Sequence, residues 1–338
     1  MNRKKVLITG ITGMVGSHLA DYLLENTDWE IFGMSRWRSP LDNIIHLLPR
    51  IEQKDRLHLI YADLNDYPSL QLALNRSKPD YIFHLAAQSY PKTSFDAPLD
   101  TLNTNILGTA RLLEAVRHSD EIQPIIHVCA SSEVFGRVPS DKLPIAEDVT
   151  FHPASPYAIS KVGTDLVGRY YGEAFGMPVM TTRMFTHTGP RRGDVFAEST
   201  FAKQIAMIEQ GLIPPVVKTG NLESLRTFAD VRDAVAAYYL LVTVNPIPGE
   251  YYNIGGTHTC TVGAMLEKLL SLSTVREITV ENDAERMRPI DADLQVPDTA
   301  KFHAHTGWTP KISFDQTMQD LLDYWRRRVQ SGQRFLTR

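Results

Sequence analysis

"VLITGITGMVGSHLADYLLE", residues 6–25, is an apolar run that passes through three evenly spaced glycines into a helical pattern. Such glycines permit a tight turn, close approach of a pyrophosphate to the backbone and packing of the helix on the strand. Phosphates then lie at the helix N-terminus, where free N–H groups and the helix dipole favour anions. A glycine triplet also occurs in plain tight turns, but the strand before it and the helix after it favour dinucleotide binding. The expected contacts are Gly10, Thr12, Gly13, Met14, Val15 and Gly16.

Outward from this stretch, short apolar runs alternate with amphipathic segments through the first 185 residues. The alternation predicts a Rossmann-type, doubly wound parallel sheet, whose strands are buried on both faces and therefore nearly continuous in apolar residues. We assign residues 1–185 to a dinucleotide-binding domain and 186–338 mainly to a smaller, mixed α/β substrate-binding region, with segments about 228–256 rejoining the first domain. The predicted strands are 4–9, 29–34, 56–62, 80–87, 125–131, 178–185 and 251–256, and the predicted helices are 14–26, 66–76, 99–118, 156–176, 199–211, 228–242 and 315–329.

Composition excludes several other classes of protein. The 338 residues carry a formal net charge of -4, which is too mild for bulk electrostatic binding to nucleic acid or a membrane surface. No run approaches the roughly 20 apolar residues of a membrane span, and the N-terminal apolar run is too short for a signal peptide. Only two cysteines, Cys129 and Cys260, are present, which indicates a reducing, cytoplasmic compartment. We expect a soluble cytoplasmic protein and assign no metal site.

The end of the second predicted strand indicates which dinucleotide binds. NAD-binding folds place an acid there to hold the ribose 2′-hydroxyl, whereas this chain has Ser35 and Arg36. Arginine pairs with a 2′-phosphate, which favours NADP, with NAD as the alternative if Arg36 is an ordinary solvated charge. After the third strand, Asp63 could accept from the adenine amino group or cap the next helix. The further cofactor contacts are expected at Asp63, Leu64, Leu85, Ala86 and Ala87.

The segment "SPYAISK", residues 155–161, carries candidate chemistry. Tyr157 and Lys161 are four residues apart, on one face of a predicted helix. A nearby ammonium lowers the pKa of a phenol, which makes tyrosine a workable base near neutral pH. Tyr-x-x-x-Lys alone is common by chance, but it is specific when it follows a glycine-rich dinucleotide loop and a strand that ends in Ser-Ser.

That strand ends in "VCASSEVFG", residues 128–136. The small apolar residues at its start suit a central strand of a parallel sheet. Two hydroxyls, Ser131 and Ser132, and a carboxylate, Glu133, follow at once. An acid at the point where the chain leaves a hydrophobic sheet indicates an active-site edge.

Together these features resemble the extended short-chain dehydrogenases/reductases over essentially the whole chain. Within that superfamily the sequence is most similar to the group of GDP-mannose 4,6-dehydratases and GDP-4-keto-6-deoxy-mannose reductases. The similarity is carried by "SRWRSPLDNI", "AAQSYPKTSFDAP", "GPRRGDVF", "GNLESLRTFADVRDAV" and "RPIDADLQVPDTAKFHAHTGWTPK".

The resemblance implies a catalytic set of Ser131, Glu133, Tyr157 and Lys161. Ser131 and Tyr157 would contact the sugar 4-hydroxyl, and Tyr157 would take its proton while hydride passes from C4 to NADP. Lys161 would bridge to the nicotinamide ribose. In dehydratases the acid at the position of Glu133 then removes the C5 proton, water leaves from C6, and the hydride returns to C6.

The resemblance also implies a nucleotide-sugar site in the C-terminal region. Planar guanidinium groups suit a diphosphate, although arginines are usually solvated surface charges; a ligand role is favoured most for Arg226 and Arg288. Thr186 stands where the group has a substrate-contacting asparagine, and Phe135 stands where it has tyrosine, so one hydroxyl near the site is expected to be lost. The expected substrate contacts are Ser132, Thr186, Arg191, Arg192, Lys203, Arg226 and Arg288.

The leading hypothesis is therefore conversion of a nucleotide-diphosphate sugar, GDP-mannose, to its 4-keto-6-deoxy form with NADP recycled. The alternatives are a reductase of that keto sugar, which needs no C5 base, a nucleotide-sugar epimerase and, outside the enzymes, an NADP-sensing interaction module. Glu133 and the insert "RSPLDNIIHLL" favour the dehydratase, and the intact Tyr157–Lys161 pair argues against the sensor. The resemblance further implies a homodimer or homotetramer, with helices near 99–118 and 156–176 pairing across the dimer.

Overall fold

Within the residues that the structure describes, 3–286 and 293–332, a seven-stranded parallel sheet forms the centre of the computed structural model. The strands are, in chain order, β1 (Lys5–Thr9), β2 (Glu30–Ser35), β3 (Leu57–Tyr61), β4 (Tyr81–His84), β5 (Ile125–Cys129), β6 (Val179–Met184), β7 (His187–Thr188), β8 (Val216–Thr219), β9 (Leu225–Asp230), β10 (Tyr251–Ile254), β11 (His258–Thr261), β12 (Thr279–Asn282) and β13 (Leu294–Gln295). The order in the large sheet is β3-β2-β1-β4-β5-β6-β10, and neighbouring strands are parallel. The predicted doubly wound fold is confirmed.

Helices cover both faces of the large sheet and build the smaller C-terminal region. The α-helices are, in chain order, α1 (Met14–Asn26), α2 (Leu48–Gln53), α3 (Tyr67–Ser77), α4 (Pro91–Asp96), α5 (Pro98–Leu102), α6 (Gly108–Arg117), α7 (Pro156–Phe175), α8 (Ala197–Glu209), α9 (Val231–Thr243), α10 (Val262–Ser271), α11 (Ala300–Thr306) and α12 (Phe314–Gln330). In the described part of the chain, none of the helices combines the length and the apolar character that crossing a bilayer requires.

The first strand shows how the sheet is covered on both sides. Leu7 faces one apolar cluster, in which α3, α6 and α7 participate, whereas Val6 and Ile8 face a second cluster that includes α1 and α9. All three side chains are fully buried. Burial on both faces removes the polar alternation of a one-sided sheet, which is why the strands read as continuous apolar runs.

The crevice at the carboxyl end of the sheet lies between β1 and β4, where the winding direction reverses. Ligands of doubly wound folds bind at such a point. The Thr9 hydroxyl, at the end of β1, accepts hydrogen bonds of 3.0 Å from the backbone N–H groups of both Leu85 and Ala86. These bonds fix the loop after β4 beside the loop after β1.

A second apolar core supports the smaller C-terminal region. Helices α8, α10 and α12 bury Phe201, Leu266 and Leu321 against one another. The paired strands β8 and β12, and the small sheet of β7, β9, β11 and β13, complete this part. The mixed α/β character predicted for the C-terminal region is thus confirmed, while β10 lies in the large sheet, parallel to β6.

Two predicted helices differ in detail from the structure. The helix predicted over 99–118 is interrupted by a π turn, Asn103–Leu107. Inside that turn the buried Asn105 side chain accepts from the Gln88 N–H at 2.8 Å and donates to the Ser160 hydroxyl at 2.8 Å. The helix predicted from residue 228 begins at Val231, because β9 extends through residue 230.

Candidate active site

The glycine loop after β1 has the conformation that only glycine accommodates. Gly10 has φ of +73°, and a Cβ there would lie 2.9 Å from the Cα of Ala86. A Cβ at Gly16 would lie 2.4 Å from the carbonyl oxygen of Gly10. The loop therefore packs tightly against the end of β4 and against the first turn of α1, as a close approach of a pyrophosphate requires.

The N-terminus of α1 is open to an anion. Gly13 is the N-cap residue, and within the described residues no side chain caps it and no acid lies in the first turn. The first N–H groups of the helix are thus available to a phosphate. Thr12, just before the cap, is held from outside the loop, because the Asn43 side-chain amide donates to its carbonyl oxygen at 3.1 Å.

The carboxyl end of β2 offers a hydroxyl and a cation. Ser35 is buried, and its hydroxyl has no hydrogen-bond partner among the described residues. Arg36 follows it and is exposed, and the Arg38 guanidinium stacks on the Trp37 ring at 5.0 Å. An unsatisfied buried hydroxyl beside free arginine charge suits a ribose that carries a phosphate.

The other predicted cofactor residues follow β3 and β4 at the carboxyl edge of the large sheet. Asp63 follows β3 and accepts from the Asn65 N–H at 2.9 Å. It does not cap α3, whose N-cap is Asp66. Leu64 is buried against Gly108, and a Cβ at that glycine would lie 2.8 Å from the Leu64 Cβ. Leu85, Ala86 and Ala87 follow β4 and are partly buried.

Tyr157 lies in the first turn of α7. Ser155 caps this helix by accepting from the Ala158 N–H at 3.0 Å, and Pro156 occupies the first helical position. Both features are standard helix-start signals. Tyr157 is buried, and burial raises its pKa above the ordinary value; a hydrogen bond with Ser131 and the charge of Arg192 act in the opposite direction.

Lys161 lies one turn further along α7 and is almost fully buried. Its Nζ donates to the carbonyl oxygen of Cys129 at 2.7 Å. Burial lowers its pKa from the ordinary value. The ammonium is thereby anchored to the last residue of β5, two residues before the serine that contacts Tyr157.

Glu133 lies in a short 3₁₀ turn, Ser132–Val134, directly after β5. Its N–H donates to the Ser131 hydroxyl at 3.2 Å, so this serine fixes the turn as well as contacting Tyr157. The negative charge of Glu133 raises the pKa of Tyr157, which places the two groups within electrostatic reach. The structure thus brings together the catalytic residues that the sequence predicts.

Phe135, two residues after Glu133, packs into an apolar cluster. Its ring is fully buried, with the rings of Phe151 and Phe185 at centroid distances of 5.9 and 6.1 Å and the Arg183 guanidinium at 5.4 Å. The ring belongs to the apolar core behind the 3₁₀ turn, and the loss of a hydroxyl near the site stays a prediction.

Arg192 is a predicted substrate residue whose charge acts on the catalytic Tyr157. Its guanidinium stacks on the Phe196 ring at 3.5 Å, and its Nε donates to Glu198 at 3.0 Å. The pKa of His187 is lowered to about 4 by burial, with the charge of Arg192 acting in the same direction. The same charge lowers the pKa of Tyr157, so the guanidinium lies within electrostatic reach of the phenol.

The remaining predicted substrate residues are Ser132, after β5, and a set in the C-terminal region. Ser132 is buried beside Ser131, and the Thr186 carbonyl accepts from the Ala229 N–H at 2.9 Å. Lys203 pairs with Asp194 at 2.8 Å. Arg226 lies in β9, and Arg191 turns away toward α1, whereas Arg288 lies outside the described residues.

A serine–tyrosine–lysine set beside a dinucleotide loop on a doubly wound sheet is the arrangement of short-chain dehydrogenases/reductases, and the second small core identifies the extended class. More narrowly, the chain belongs to the GDP-mannose 4,6 dehydratase family, whose model matches residues 7–321. In the part of the chain that the structure describes, no cluster of three or more histidine, cysteine or acidic side chains is placed to hold a metal ion.

Individual relatives cover nearly the whole chain. GDP-mannose 4,6 dehydratase 1 of Arabidopsis thaliana is 33% identical over 329 residues, which are 95% of this chain and 89% of that protein. GDP-6-deoxy-D-mannose reductase of Pseudomonas aeruginosa is 30% identical over 327 residues, which are 96% of this chain and 98% of that protein.

Solved structures agree with the fold. RMD from Pseudomonas aeruginosa complexed with NADPH has a TM-score of 0.81 at 29% identity, over 96% of this chain and 100% of that chain. A Thermus thermophilus UDP-glucose 4-epimerase in complex with NAD has a TM-score of 0.80 at 24% identity, over 95% and 98% of the two chains. The second similarity concerns the fold alone.

Proposed function

We propose that the protein is an NADP-dependent nucleotide-sugar 4,6-dehydratase that converts GDP-mannose to GDP-4-keto-6-deoxy-mannose. The observation that carries this proposal is the presence of Glu133 on the turn that also holds Ser131, beside Tyr157. A simple oxidoreductase needs the hydroxyl, the phenol and the ammonium, whereas loss of water next to a ketone also needs a base for the carbon-bound proton.

The cofactor site supports NADP. The open N-terminus of α1 would hold the pyrophosphate, and Ser35 with Arg36 would hold the 2′-phosphate. Bound NADP would supply a hydride acceptor for oxidation at C4 and return the hydride to C6. The NADPH complex of the Pseudomonas aeruginosa structure is consistent with this choice.

In the proposed mechanism each protein group has one task. Tyr157 takes the proton of the sugar 4-hydroxyl, while Ser131 orients that hydroxyl through its contact with the phenol. Lys161, which donates to the carbonyl oxygen of Cys129, would bridge to the nicotinamide ribose of bound NADP. Once C4 is a ketone, Glu133 removes the acidified proton from C5, and this proton leaves with the C6 hydroxyl as water. Return of the hydride to C6 is balanced by one proton added at C5, equal to the one that Tyr157 took from the 4-hydroxyl, so the net loss is one water.

Purified protein incubated with GDP-mannose and a catalytic amount of NADP tests the proposal directly. Mass spectrometry should show a nucleotide sugar lighter by one water, with no net change in NADPH. If GDP-mannose is unchanged but GDP-4-keto-6-deoxy-mannose is reduced with consumption of NADPH, the protein is the reductase. An isomer of unchanged mass would identify an epimerase, and NADP binding with no turnover of any nucleotide sugar would favour the sensor.

The reductase is the second candidate because a reductase relative matches 96% of this chain. A reductase would use the same serine, tyrosine and lysine to reduce the C4 ketone with hydride from NADPH. Glu133 would then have no chemical task. The effect of removing the Glu133 charge therefore separates the two candidates.

Replacing Arg36 with alanine should change cofactor preference. Because a charge-assisted hydrogen bond to the 2′-phosphate is lost, we expect the NADP dissociation constant to rise roughly 10- to 100-fold and that of NAD to change less than about twofold. Isothermal titration calorimetry with both cofactors measures the two values. Arg76→Ala, at an exposed arginine of α3, is the matched control; an equal loss of NAD and NADP affinity in Arg36→Ala would remove the 2′-phosphate role.

We further propose a homodimer formed through α7 and the segment around α5. Large apolar side chains are exposed there, with Leu99 at 78% and Leu166 at 48%, and Ile159 and Tyr170 lie on the same face of α7 as Leu166. Leu166→Asp should shift sedimentation toward the monomer, whereas Leu212→Asp, at an exposed leucine after α8, should not. A wild-type monomer at micromolar concentration would refute the dimer.

We also propose a cytoplasmic location, with which the two unpaired cysteines are consistent.

A further inference from the structure

Arg191 and Arg192 are consecutive, yet their side chains point to different parts of the protein. Arg192 stacks on Phe196 and pairs with Glu198 near the catalytic set. Arg191 instead reaches α1 of the cofactor-binding domain, where its Nη2 lies 2.7 Å from an Asp21 carboxylate oxygen. The backbone of Arg191 has φ of +67°, a left-handed conformation in which a residue other than glycine persists only when its surroundings hold it.

Asp21 is the centre of a small polar junction. Its other carboxylate oxygen lies 2.8 Å from Nε2 of His46, and the same His46 nitrogen lies 3.4 Å from Nη2 of Arg191. The side chains of Asp21 and Arg191 are only 22% and 19% exposed, so the pair is largely shielded and directional. Partly buried ion pairs of this kind fix geometry better than exposed pairs do.

The junction connects the substrate loop to the glycine loop. His46 belongs to the 3₁₀ turn Asp42–Leu47, and in the same turn Asn43 donates to the carbonyl oxygen of Thr12 at 3.1 Å. A chain of contacts therefore runs from the glycine loop, through this turn and Asp21, to Arg191. The next residue, Arg192, closes a turn with its N–H 3.3 Å from the Gly189 carbonyl oxygen.

We propose that Arg191 is a positioning residue: its ion pair with Asp21 anchors the turn at residues 189–192 to α1 and so aims Arg192 at the sugar diphosphate. The identity of that ligand rests on the proposed function, whereas the anchoring does not. Arg191 thus serves the substrate site without contacting substrate, and the two arginines of "GPRRG" have separate tasks.

Hydrogen exchange of the ligand-free protein tests the anchoring without any substrate. In Asp21→Asn, which keeps the shape of the side chain, amides of residues 189–196 should exchange about tenfold faster than in wild type. Arg191→Ala should give the same increase, and Glu25→Gln, at an exposed acid of the same helix, should give none. Unchanged exchange in Asp21→Asn, with the protein folded, would overturn the proposal.

Steady-state kinetics then separate positioning from direct binding. We expect Asp21→Asn and Arg191→Ala each to raise KM for the nucleotide sugar about tenfold, with kcat within about threefold and the NADP dissociation constant unchanged. The double variant should lose no more than either single one, because both remove one interaction. If Arg191→Ala costs far more than Asp21→Asn, or if the two losses multiply, Arg191 binds the ligand itself and the proposal is wrong. Absence of turnover with GDP-mannose in wild type, with the exchange result as expected, would contradict the proposed substrate and leave the anchoring standing.

Discussion

Replacing Tyr157 with phenylalanine is expected to lower kcat by about a thousandfold, within the range of general acid–base contributions. The phenol is the group in hydrogen-bond contact with Ser131, so it is placed to take the proton of the sugar 4-hydroxyl. The ring itself is buried, and phenylalanine keeps its packing. The variant should therefore fold normally and bind NADP within a few-fold of wild type, which calorimetry and thermal unfolding measure.

Tyr170→Phe is the matched control, because Tyr170 lies on the same helix with its side chain 57% exposed. It should retain full activity. If Tyr157→Phe also retained activity, the proton would have to leave through another group, and the assignment of Tyr157 as the base would fail. A loss of NADP affinity as large as the loss of kcat would instead indicate that the phenol mainly binds the cofactor.

The parts of the site that lie close in sequence could be predicted from it. Tyr157 and Lys161 share one helix face, and Ser131 and Glu133 follow one strand, so each pair is a short-range pattern. The parallel sheet then brings the two segments together, because α7 follows β5 and packs on it. The doubly wound fold itself was predictable because the glycine loop and the strand–helix alternation indicate the same architecture.

The parts set by long-range contacts could not be predicted. The π turn at Asn105 depends on bonds to Gln88 and Ser160, which are far apart in sequence. The direction of Arg191 depends on a left-handed backbone and an acid on α1. The sequence also predicts that Lys161 lowers the pKa of the phenol, whereas in the structure burial dominates and raises that pKa.

Glu133→Gln should abolish dehydration while leaving the earlier oxidation intact. The amide cannot take the proton from C5, and we expect formation of the dehydrated product to fall by about a hundredfold or more. The N–H of residue 133 still donates to Ser131, so the 3₁₀ turn and the contact with Tyr157 should survive. Oxidation at C4 without return of the hydride should then be visible as accumulating NADPH absorbance when protein is mixed with GDP-mannose and stoichiometric NADP.

Glu173→Gln, at an exposed acid of α7, is the control and should behave as wild type. Normal water loss in Glu133→Gln would exclude this carboxylate as the C5 base. Retained NADPH-dependent reduction of the 4-keto sugar, in a protein that never dehydrated GDP-mannose, would identify the reductase.

The pH dependence of the oxidation step gives a second test of Glu133, through the effect of its negative charge on the pKa of Tyr157. Glu133 raises the pKa of Tyr157, because a nearby negative charge disfavours the phenolate. Removing the charge therefore lowers the pKa of Tyr157 and makes its basic form available at lower pH. The rate of C4 oxidation requires that basic form. As the pH is increased, the rate should therefore begin to rise at a lower pH in Glu133→Gln than in wild type. A profile that does not move would mean that the carboxylate is too far from the phenol to share one substrate with it, and the dehydratase mechanism requires both groups on the same sugar ring.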